Sequence, residues 1–309
     1  MTAFVFPGQG SQKVGMGKAL ADAFSACQET FAEADAALGE PLSQLCFEGP
    51  EERLRLTENA QPAILAVSIA AYRLLESRGH VPQFVAGHSL GEYSANVAAG
   101  TMTFGDALRA VRRRGQYMQE AVPVGTGAMA AVLGLDADAV TRACEEAAEG
   151  QVVSPANING GGQVVITGAA EAVFRAGARA TELGAKRVIP LPVSAPFHCA
   201  LMKPAEIRLA PELRALALRD PRVPVVANVD AQVKRTAKAA VDALVAQVSS
   251  PVLWEAVVQR LASEGVTTYV EVGPGTVLAG LVRKIHREAS VASFSAPDNL
   301  AAVETLLHA

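Results

Sequence analysis

Apolar and polar positions change their spacing repeatedly along the chain, and short apolar runs alternate with longer stretches of helical period. An uninterrupted apolar run at 3–6 predicts a strand buried on both faces, and a second short run at 84–86 predicts another. Apolar residues recurring three and four positions apart predict four helical stretches, at 17–38, 57–77, 90–99 and 104–121. Strands that alternate with helices indicate a parallel sheet in an α/β fold.

The pattern changes between residues 124 and 193. Here the predicted order is strand, helix, two strands, helix, strand, with three consecutive glycines at 160–162 as the turn between the two middle strands. This βαββαβ order is typical of a ferredoxin-like domain. Beyond it, predicted helices from 201 and 252 alternate with strands at 223–227 and 268–272, and Gly273-Pro274-Gly275 opens a further helix. We therefore predict a large α/β domain formed by 1–123 and 194–309, with 124–193 inserted as a small domain.

Composition limits the class of protein. The chain has 309 residues, of which half are apolar, so it can bury a sizeable core. Its net charge of -4 argues against a nucleic-acid partner, which would need a basic surface. The four cysteines lie far apart without a Cys-x-x-Cys pair, and neither a signal peptide nor a long uncharged apolar stretch is present. We expect a cytoplasmic protein with no membrane span.

The segment Gly87-His88-Ser89-Leu90-Gly91 has the Gly-x-Ser-x-Gly pattern, between a predicted strand and a predicted helix. A sharp strand-to-helix turn brings backbone segments close together, so glycines must flank the serine. The following helix N-terminus offers N–H groups to an oxyanion. Ser89 is therefore the candidate nucleophile, and the alternative is a serine that only caps a helix.

A nucleophilic serine needs a base, and the chain has five histidines. His198 follows a predicted strand and precedes a predicted helix, where a parallel sheet places its functional loops. The other four lie in a helix-ending loop, within the turn itself, in a charged segment or near the last residue. His198 is the candidate base; its alternative role is helix capping or packing in the core.

Arg114 differs from the other basic residues of the predicted helix at 104–122. It lies at the edge of the apolar stripe, whereas Arg109, Arg112 and Arg113 point away from it. An inward arginine requires an anion, and its planar guanidinium suits a carboxylate. Either a protein Asp or Glu or the carboxylate of a ligand is expected to meet it.

The loop after the first strand, at 6–12, contains glycines but fits neither the phosphate-loop nor the dinucleotide-binding spacing. It can still supply a backbone N–H to an oxyanion. No His-x3-His or His-Glu-x-x-His pattern occurs, so we expect no metal site.

Several motifs in this order resemble the malonyl-CoA:acyl carrier protein transacylases over nearly the whole chain. They are residues 6–12, GHSLGEY at 87–93, Arg114-Gly115, NINGGGQVVITG at 157–168, PFHCALM at 196–202 and EVGPG at 271–275. The resemblance implies a hydrolase-like large domain with a ferredoxin-like insert. It also implies these site residues: Ser89 as the acylated nucleophile, His198 as general base, the N–H groups of Gln9 and Leu90 as oxyanion donors, Arg114 as the malonyl-carboxylate ligand, and the backbone carbonyl of Gln247 as the group that orients His198.

The resemblance further implies malonyl-CoA and holo-acyl carrier protein as substrates, no bound cofactor, and a role in fatty-acid synthesis. Phe197 and Asn159 are expected in the substrate pocket, where Phe197 would discourage an α-methyl branch. Carrier proteins are acidic, and two basic pairs that match docking positions of the family are expected to dock one, with simple solvation as the alternative: Lys186-Arg187 and Arg283-Lys284. We expect a monomer. The alternatives are service to a polyketide synthase, a serine thioesterase or hydrolase, and a non-catalytic carrier-binding module.

Overall fold

A computed structural model describes residues 1–123, 125–193 and 195–308. The strands of this part of the chain are β1 Thr2–Phe6, β2 Phe84–Gly87, β3 Gly127–Leu133, β4 Val153–Gly160, β5 Gln163–Ala169, β6 Arg187–Pro190, β7 Val225–Val226, β8 Val233–Lys234, β9 Thr268–Val272 and β10 Ser290–Phe294. They form two sheets, one of six strands and one of four.

The helices surround these sheets. They are α1 Lys18–Ala23, α2 Ser25–Leu38, α3 Leu42–Glu48, α4 Glu51–Arg55, α5 Thr57–Ser77, α6 Gly91–Ala98, α7 Phe104–Glu120, α8 Ala137–Ala147, α9 Ala170–Glu182, α10 Lys203–Arg214, α11 Ala237–Gln247, α12 Trp254–Ser263, α13 Val277–Ile285 and α14 Leu300–His308. Two short 3-10 helices cover Ala200–Met202 and Pro297–Asn299. None of the helices in the described ranges is long and apolar enough to cross a bilayer.

The larger sheet has the strand order β10-β9-β1-β2-β7-β8. All neighbouring pairs are parallel except β7 and β8, which confirms an α/β fold with a mainly parallel sheet. Along β1, Phe4 and Phe6 point into one apolar core, and Ala3 and Val5 into a second core on the other face. This burial on both faces explains why the sequence of β1 is apolar throughout.

The smaller sheet has the antiparallel order β4-β5-β3-β6, the arrangement of a ferredoxin-like βαββαβ unit. Its β4–β5 connection runs through Gly160, Gly161 and Gly162, which have φ of 80°, 61° and 74°. Positive φ at three successive residues is accessible mainly to glycine, as the triple glycine predicts. The boundaries of the two domains stay a prediction, and positions 124, 194 and 309 themselves lie outside the described residues.

Strand β4 also joins the small sheet to the large domain. The Ile158 N–H donates to the Val252 carbonyl at 2.9 Å, and the Val252 N–H donates to the Ala156 carbonyl at 2.8 Å. Residue 252 lies shortly after the end of α11, so the small sheet is hydrogen-bonded to the segment that leaves that helix.

The helical predictions differ from the structure in two respects. The stretch at 17–38 is divided into α1 and α2 by Phe24, which adopts an extended conformation with φ of -136°. Helices α3, α4, α11 and α14 were not predicted; the alanines and valines of α11 are apolar on several sides and leave no clear polar face. The predicted helix at 57–77, by contrast, is confirmed as α5 over its whole length.

Candidate active site

Ser89 occupies a sharp turn between β2 and α6, at the carboxyl edge of the large sheet. Its φ is 51°, in the left-handed region that non-glycine residues rarely adopt. A Cβ at Gly87 would lie 1.9 Å from backbone atoms of Gly91, and a Cβ at Gly91 would lie 2.0 Å from the Phe6 carbonyl oxygen. The two flanking glycines are therefore required by the close approach of β1, β2 and α6.

The base predicted for this serine lies within hydrogen-bond distance of it. His198 Nε2 is 2.7 Å from Ser89 Oγ, and His198 Nδ1 is 2.9 Å from the Gln247 backbone carbonyl. A carbonyl can only accept, so Nδ1 carries the proton and Nε2 is free to accept the serine proton. The structure thus brings Ser89, His198 and Gln247 together, and His198 itself has a left-handed φ of 61°.

The imidazole is held in its neutral form. Burial, reinforced by the positive charge of Arg114, lowers the pKa of His198 to about 3. At neutral pH the ring is therefore unprotonated and competent as a base.

Arg114 lies on α7 and is buried, in keeping with an arginine directed inward from the edge of the apolar stripe. The reason is close packing of α7 on α5: a Cβ at Gly115 would lie 2.6 Å from Glu58 Cα. Its Nη1 donates to Gln61 Oε1 at 2.7 Å, and its Nη2 donates to Gln247 Oε1 at 2.9 Å and to Ser89 Oγ at 3.1 Å.

No carboxylate of the described residues forms an ion pair with this guanidinium, and its Nε has no hydrogen-bond partner among them. The buried Glu92 carboxyl interacts electrostatically with Arg114 but lies beyond ion-pair distance, so among the described residues no protein carboxylate is in direct contact with this guanidinium. Burial lowers the pKa of Arg114, but a guanidinium remains charged at neutral pH. The site therefore contains a buried, charged guanidinium with no carboxylate bound directly to it.

Ser89, His198 and Arg114 line one cavity of about 490 Å³. Phe197 contributes to its wall, as predicted, and so does Gln9. The remaining lining residues are Gly10, Gln12, Glu51, Arg55, Gln61, His88, Met118, Met129, Asn157, Leu191, Pro192 and Val193.

The two expected oxyanion donors lie at or beside the sharp turn formed by residues 87–91, which we call the elbow. Gln9 is in the loop after β1, and Leu90 directly follows Ser89 at the start of α6. Within the described ranges, neither backbone N–H donates a hydrogen bond to the protein. Gln9 lines the cavity, whereas Leu90 is not among the lining residues and directly follows Ser89, which is.

Asn159 does not itself line the cavity. Its Oδ1 lies 2.9 Å from Nε2 of His88, which does, while Asn157 on the same strand reaches the cavity wall. Asn159 thus supports the elbow from the small sheet.

Three polar residues that the sequence did not single out surround the nucleophile. Gln61 is a buried polar residue within an apolar helix, Asn228 follows a strand of the parallel sheet, and Glu92 is a charged residue three positions after Ser89. A polar residue inside an apolar run was the signal available for each. Their partners, however, are distant in sequence and were not accessible to spacing arguments.

The four basic residues expected to dock a carrier protein are all exposed. The Lys186 side chain lies against Gly134 and the Lys284 side chain against Gly161, while the Gly134 N–H donates to the Gly162 carbonyl at 2.7 Å. Lys186 and Lys284, one from each basic pair, therefore both lie near the β4–β5 turn. Arg283 also donates to the Val291 carbonyl at 2.8 Å.

Neither a redox pair nor a metal cluster is evident at this site. All four cysteines are free and buried. Across 1–123, 125–193 and 195–308, no group of three or more His, Cys, Asp or Glu side chains is placed to hold a metal ion.

Comparisons with known proteins agree with this geometry. Residues 3–301 match the family model described as the acyl transferase domain. The chain is 54% identical over 301 residues to a malonyl CoA-acyl carrier protein transacylase of Escherichia coli strain K12, covering 97% of each chain. It is 49% identical to the protein of that name from Bacillus subtilis, covering 98% of this chain and 96% of the other.

Solved structures give the same result. An acyl carrier protein S-malonyltransferase from Vibrio cholerae superposes with a TM-score of 0.96 at 48% identity, covering 98% of this chain and 99% of the other. A malonyl-transacylase in complex with its type II polyketide synthase acyl-carrier protein also has a TM-score of 0.96 and 48% identity, covering 100% and 99% of the two chains.

Proposed function

The chain belongs to the acyl transferase family, among the malonyl CoA-acyl carrier protein transacylases, and on that premise we propose that it moves a malonyl group from malonyl-CoA to the phosphopantetheine thiol of an acyl carrier protein. The malonyl group would be carried on Ser89 between two half-reactions. No bound cofactor is needed, because both half-reactions are acyl transfers between an oxygen and a sulfur nucleophile.

The observation that carries this proposal is the position of Arg114. Its guanidinium is buried, lacks a carboxylate partner among the described residues and lies 3.1 Å from the nucleophilic oxygen. Malonyl thioesters have a free carboxylate two carbons from the reacting carbonyl, whereas acetyl thioesters have none. Arg114 would bind that carboxylate bidentately and so place the thioester carbonyl against Ser89 Oγ.

In the first half-reaction, Nε2 of His198 accepts the Ser89 proton as Oγ attacks the thioester carbonyl. The N–H groups of Gln9 and Leu90 donate to the oxyanion that forms. As the tetrahedral intermediate collapses, the carbon–sulfur bond breaks and coenzyme A leaves with the proton from His198. The product is a malonyl ester of Ser89.

In the second half-reaction the carrier-protein thiol occupies the place of coenzyme A. His198 accepts its proton, the sulfur attacks the ester carbonyl, and Ser89 Oγ leaves and regains the proton. The enzyme returns to its starting state, so the cycle is ping-pong.

A serine hydrolase or thioesterase would use the same elbow but is less well supported. In hydrolases of this architecture a carboxylate orients the histidine. Here Nδ1 of His198 faces the Gln247 backbone carbonyl instead. Arg114 also has no role in hydrolysis of a neutral acyl group. A non-catalytic binding module would not require Ser89, His198 and an Arg114 without a bound carboxylate to line one cavity.

The proposal extends to the pathway, the carrier-docking surface and the location of the enzyme. We propose that the enzyme supplies fatty-acid synthesis, although one structural relative serves a type II polyketide synthase. Its carrier would dock on the exposed basic surface at the β4–β5 turn, next to a strand that reaches the cavity. A monomer in the cytoplasm remains our expectation.

Intact-protein mass spectrometry tests the reaction directly. Brief incubation with malonyl-CoA should add one malonyl group to the protein, and later addition of holo-carrier protein should move that mass to the carrier. The Ser89→Ala variant should acquire no adduct.

Free malonate released at the same rate without carrier protein would instead identify a hydrolase. A Ser89→Ala variant that still transfers malonyl groups would remove Ser89 from the mechanism. Absence of any adduct on the native protein would leave only the binding module.

A further inference from the structure

Glu92 lies beneath the nucleophile, in the first turn of α6, and is 1% exposed. Its Oε2 accepts two hydrogen bonds, from the Asn228 backbone N–H at 3.0 Å and from Gln247 Nε2 at 2.7 Å. No described cation forms an ion pair with it, and burial raises the pKa of Glu92 to about 7. Burying a carboxyl without an ion-paired cation costs free energy of folding, so we expect its two hydrogen-bond partners to have a functional role.

The first partner, Asn228, holds the backbone of the elbow. Its side-chain Oδ1 accepts the Ser89 N–H at 2.7 Å, and its Nδ2 donates to the Gly87 carbonyl at 2.7 Å. The second partner, Gln247, donates from Nε2 to the Ser89 carbonyl at 3.0 Å. Both peptide groups of Ser89 are thus bound by the side chains of two residues that hydrogen-bond to Glu92, at a residue whose left-handed backbone is strained.

Glu92 is one of three groups that hold the Gln247 amide in one orientation. The Ser89 carbonyl can only accept and the Arg114 guanidinium can only donate, so Nε2 of Gln247 faces Ser89 while its Oε1 faces Arg114, 2.9 Å away. Oε2 of Glu92 therefore accepts from Gln247 Nε2 as well as from the Asn228 N–H. The backbone carbonyl of Gln247 meets His198 Nδ1.

Resting on the proposed function, we propose that Glu92 is a positioning residue that aligns the nucleophile, the base and the carboxylate-binding arginine through Asn228 and Gln247. Its required property is the acceptor oxygen at Oε2. Loss of that oxygen removes one of the hydrogen bonds that hold the Gln247 amide and leaves the Asn228 N–H unpaired, so the alignment of both Arg114 and Ser89 loosens.

Two substitutions at Glu92 distinguish the role of its acceptor oxygen from the role of its charge. Glu92→Gln can keep a carbonyl oxygen at the Oε2 position and should retain malonyl transfer within about 3-fold. Glu92→Met keeps the side-chain length and removes the acceptor. It should slow phosphonylation of Ser89 by an uncharged fluorophosphonate by about 10-fold or more, since that reaction needs only Ser89 and His198.

The second readout is the ratio of malonyl to acetyl acylation rates, measured by mass spectrometry in a single turnover. This ratio depends on Arg114, so it should fall by about 10-fold or more in Glu92→Met and stay near the native value in Glu92→Gln. A purely structural role would reduce the folded fraction without moving the ratio.

Glu271 offers a matched control. It is also fully buried, and its carboxylate accepts the N–H groups of Leu278 at 3.2 Å and Ala279 at 2.8 Å at the start of α13. Glu271→Met should lower the melting temperature but leave the malonyl-to-acetyl ratio of the folded protein unchanged. If Glu92→Met does not fold, Glu92→Asp, which withdraws the oxygen by one methylene, is compared with Glu271→Asp in the same assays.

The proposal is overturned if the folded Glu92→Met or Glu92→Asp variant keeps the native labelling rate and ratio. It is equally overturned if Glu92→Gln loses as much as Glu92→Met, because the acceptor oxygen would then not be the required property. Failure of the proposed function is a separate result: the native protein would then form no malonyl adduct on Ser89.

Discussion

At the residue scale, the selectivity of the proposed reaction depends on one buried charge. We expect Arg114→Ala to reduce the rate of Ser89 malonylation by on the order of 100-fold, because a desolvated carboxylate would lose its bidentate partner. Acetylation should fall by less than about 10-fold, since an acetyl group offers no carboxylate. Mass spectrometry of the acyl-enzyme, with malonyl-CoA and acetyl-CoA in parallel, measures both rates.

The neighbouring Arg113 is the control for this experiment. It lies on the same helix but is exposed, and its Nε is 3.7 Å from a Glu212 carboxylate oxygen. Arg113→Ala should leave both acylation rates unchanged. Equal losses of malonyl and acetyl transfer in Arg114→Ala would refute a carboxylate-binding role.

Some of these residues were accessible from the sequence and others were not. Ser89 stands in a motif whose steric logic is local, and His198 could be selected from five histidines by its place after a strand. Glu92 and Asn228 act through partners more than 100 positions away. Glu92 is 136 positions from Asn228 and 155 positions from Gln247 in the sequence. No local pattern encodes such contacts, so only the folded chain reveals them.

At the scale of secondary-structure elements, the active site depends on backbones that pack without intervening side chains. We expect Gly91→Ala to destabilise the protein by about 3 kcal/mol or more, because its new Cβ would lie 2.0 Å from the Phe6 carbonyl oxygen and backbone cannot move aside cheaply. Urea unfolding followed by circular dichroism measures the change.

Gly280 in α13 provides the comparison, because a Cβ there would meet no atom within 4 Å. Gly280→Ala should raise stability by up to about 1 kcal/mol, from the higher helix propensity of alanine. Similar effects of the two substitutions would mean that β1 and α6 can separate at the elbow.

The elements themselves were predicted best where the apolar period was strong. The long α5 and the strands β1, β2 and β9 follow directly from runs of buried residues. The interruption at Phe24 was not predictable, because a phenylalanine has no local tendency to end a helix. The Phe24 N–H donates to the Leu20 carbonyl at the end of α1, and α2 begins at the next residue. Tertiary packing, not local helix propensity, therefore sets the bend.

At the scale of the whole molecule, two domains contribute to one basic surface. We expect the double variant Lys186→Glu with Lys284→Glu to raise the apparent KM for carrier protein by on the order of 10-fold, through repulsion of an acidic partner. The rate of Ser89 acylation by malonyl-CoA should not change, since neither lysine lines the cavity. Steady-state kinetics at varied carrier concentration, with single-turnover acylation, separates these effects.

Lys238 tests whether net charge alone is responsible. It is exposed on α11 and pairs with Asp242 in the same helix. A variant with charge reversed at Lys238 and at Lys18, which is also exposed and pairs with Asp22, changes the net charge by the same amount. An equal rise in KM in this variant would remove the β4–β5 turn from carrier docking.

The guanidinium of Arg114, which has no carboxylate in direct contact among the described residues, also links substrate binding to folding. Desolvating a charge without a bound counter-ion opposes folding, so the empty protein is less stable than its interior packing alone would make it. An anionic acyl group that binds this charge does so only in the native state, and thus stabilises the native state by mass action. Under the proposed carboxylate-binding role, Arg114 makes the protein most stable when malonyl-CoA is abundant, and an apolar replacement would raise the stability of the empty protein but abolish recognition of the malonyl group.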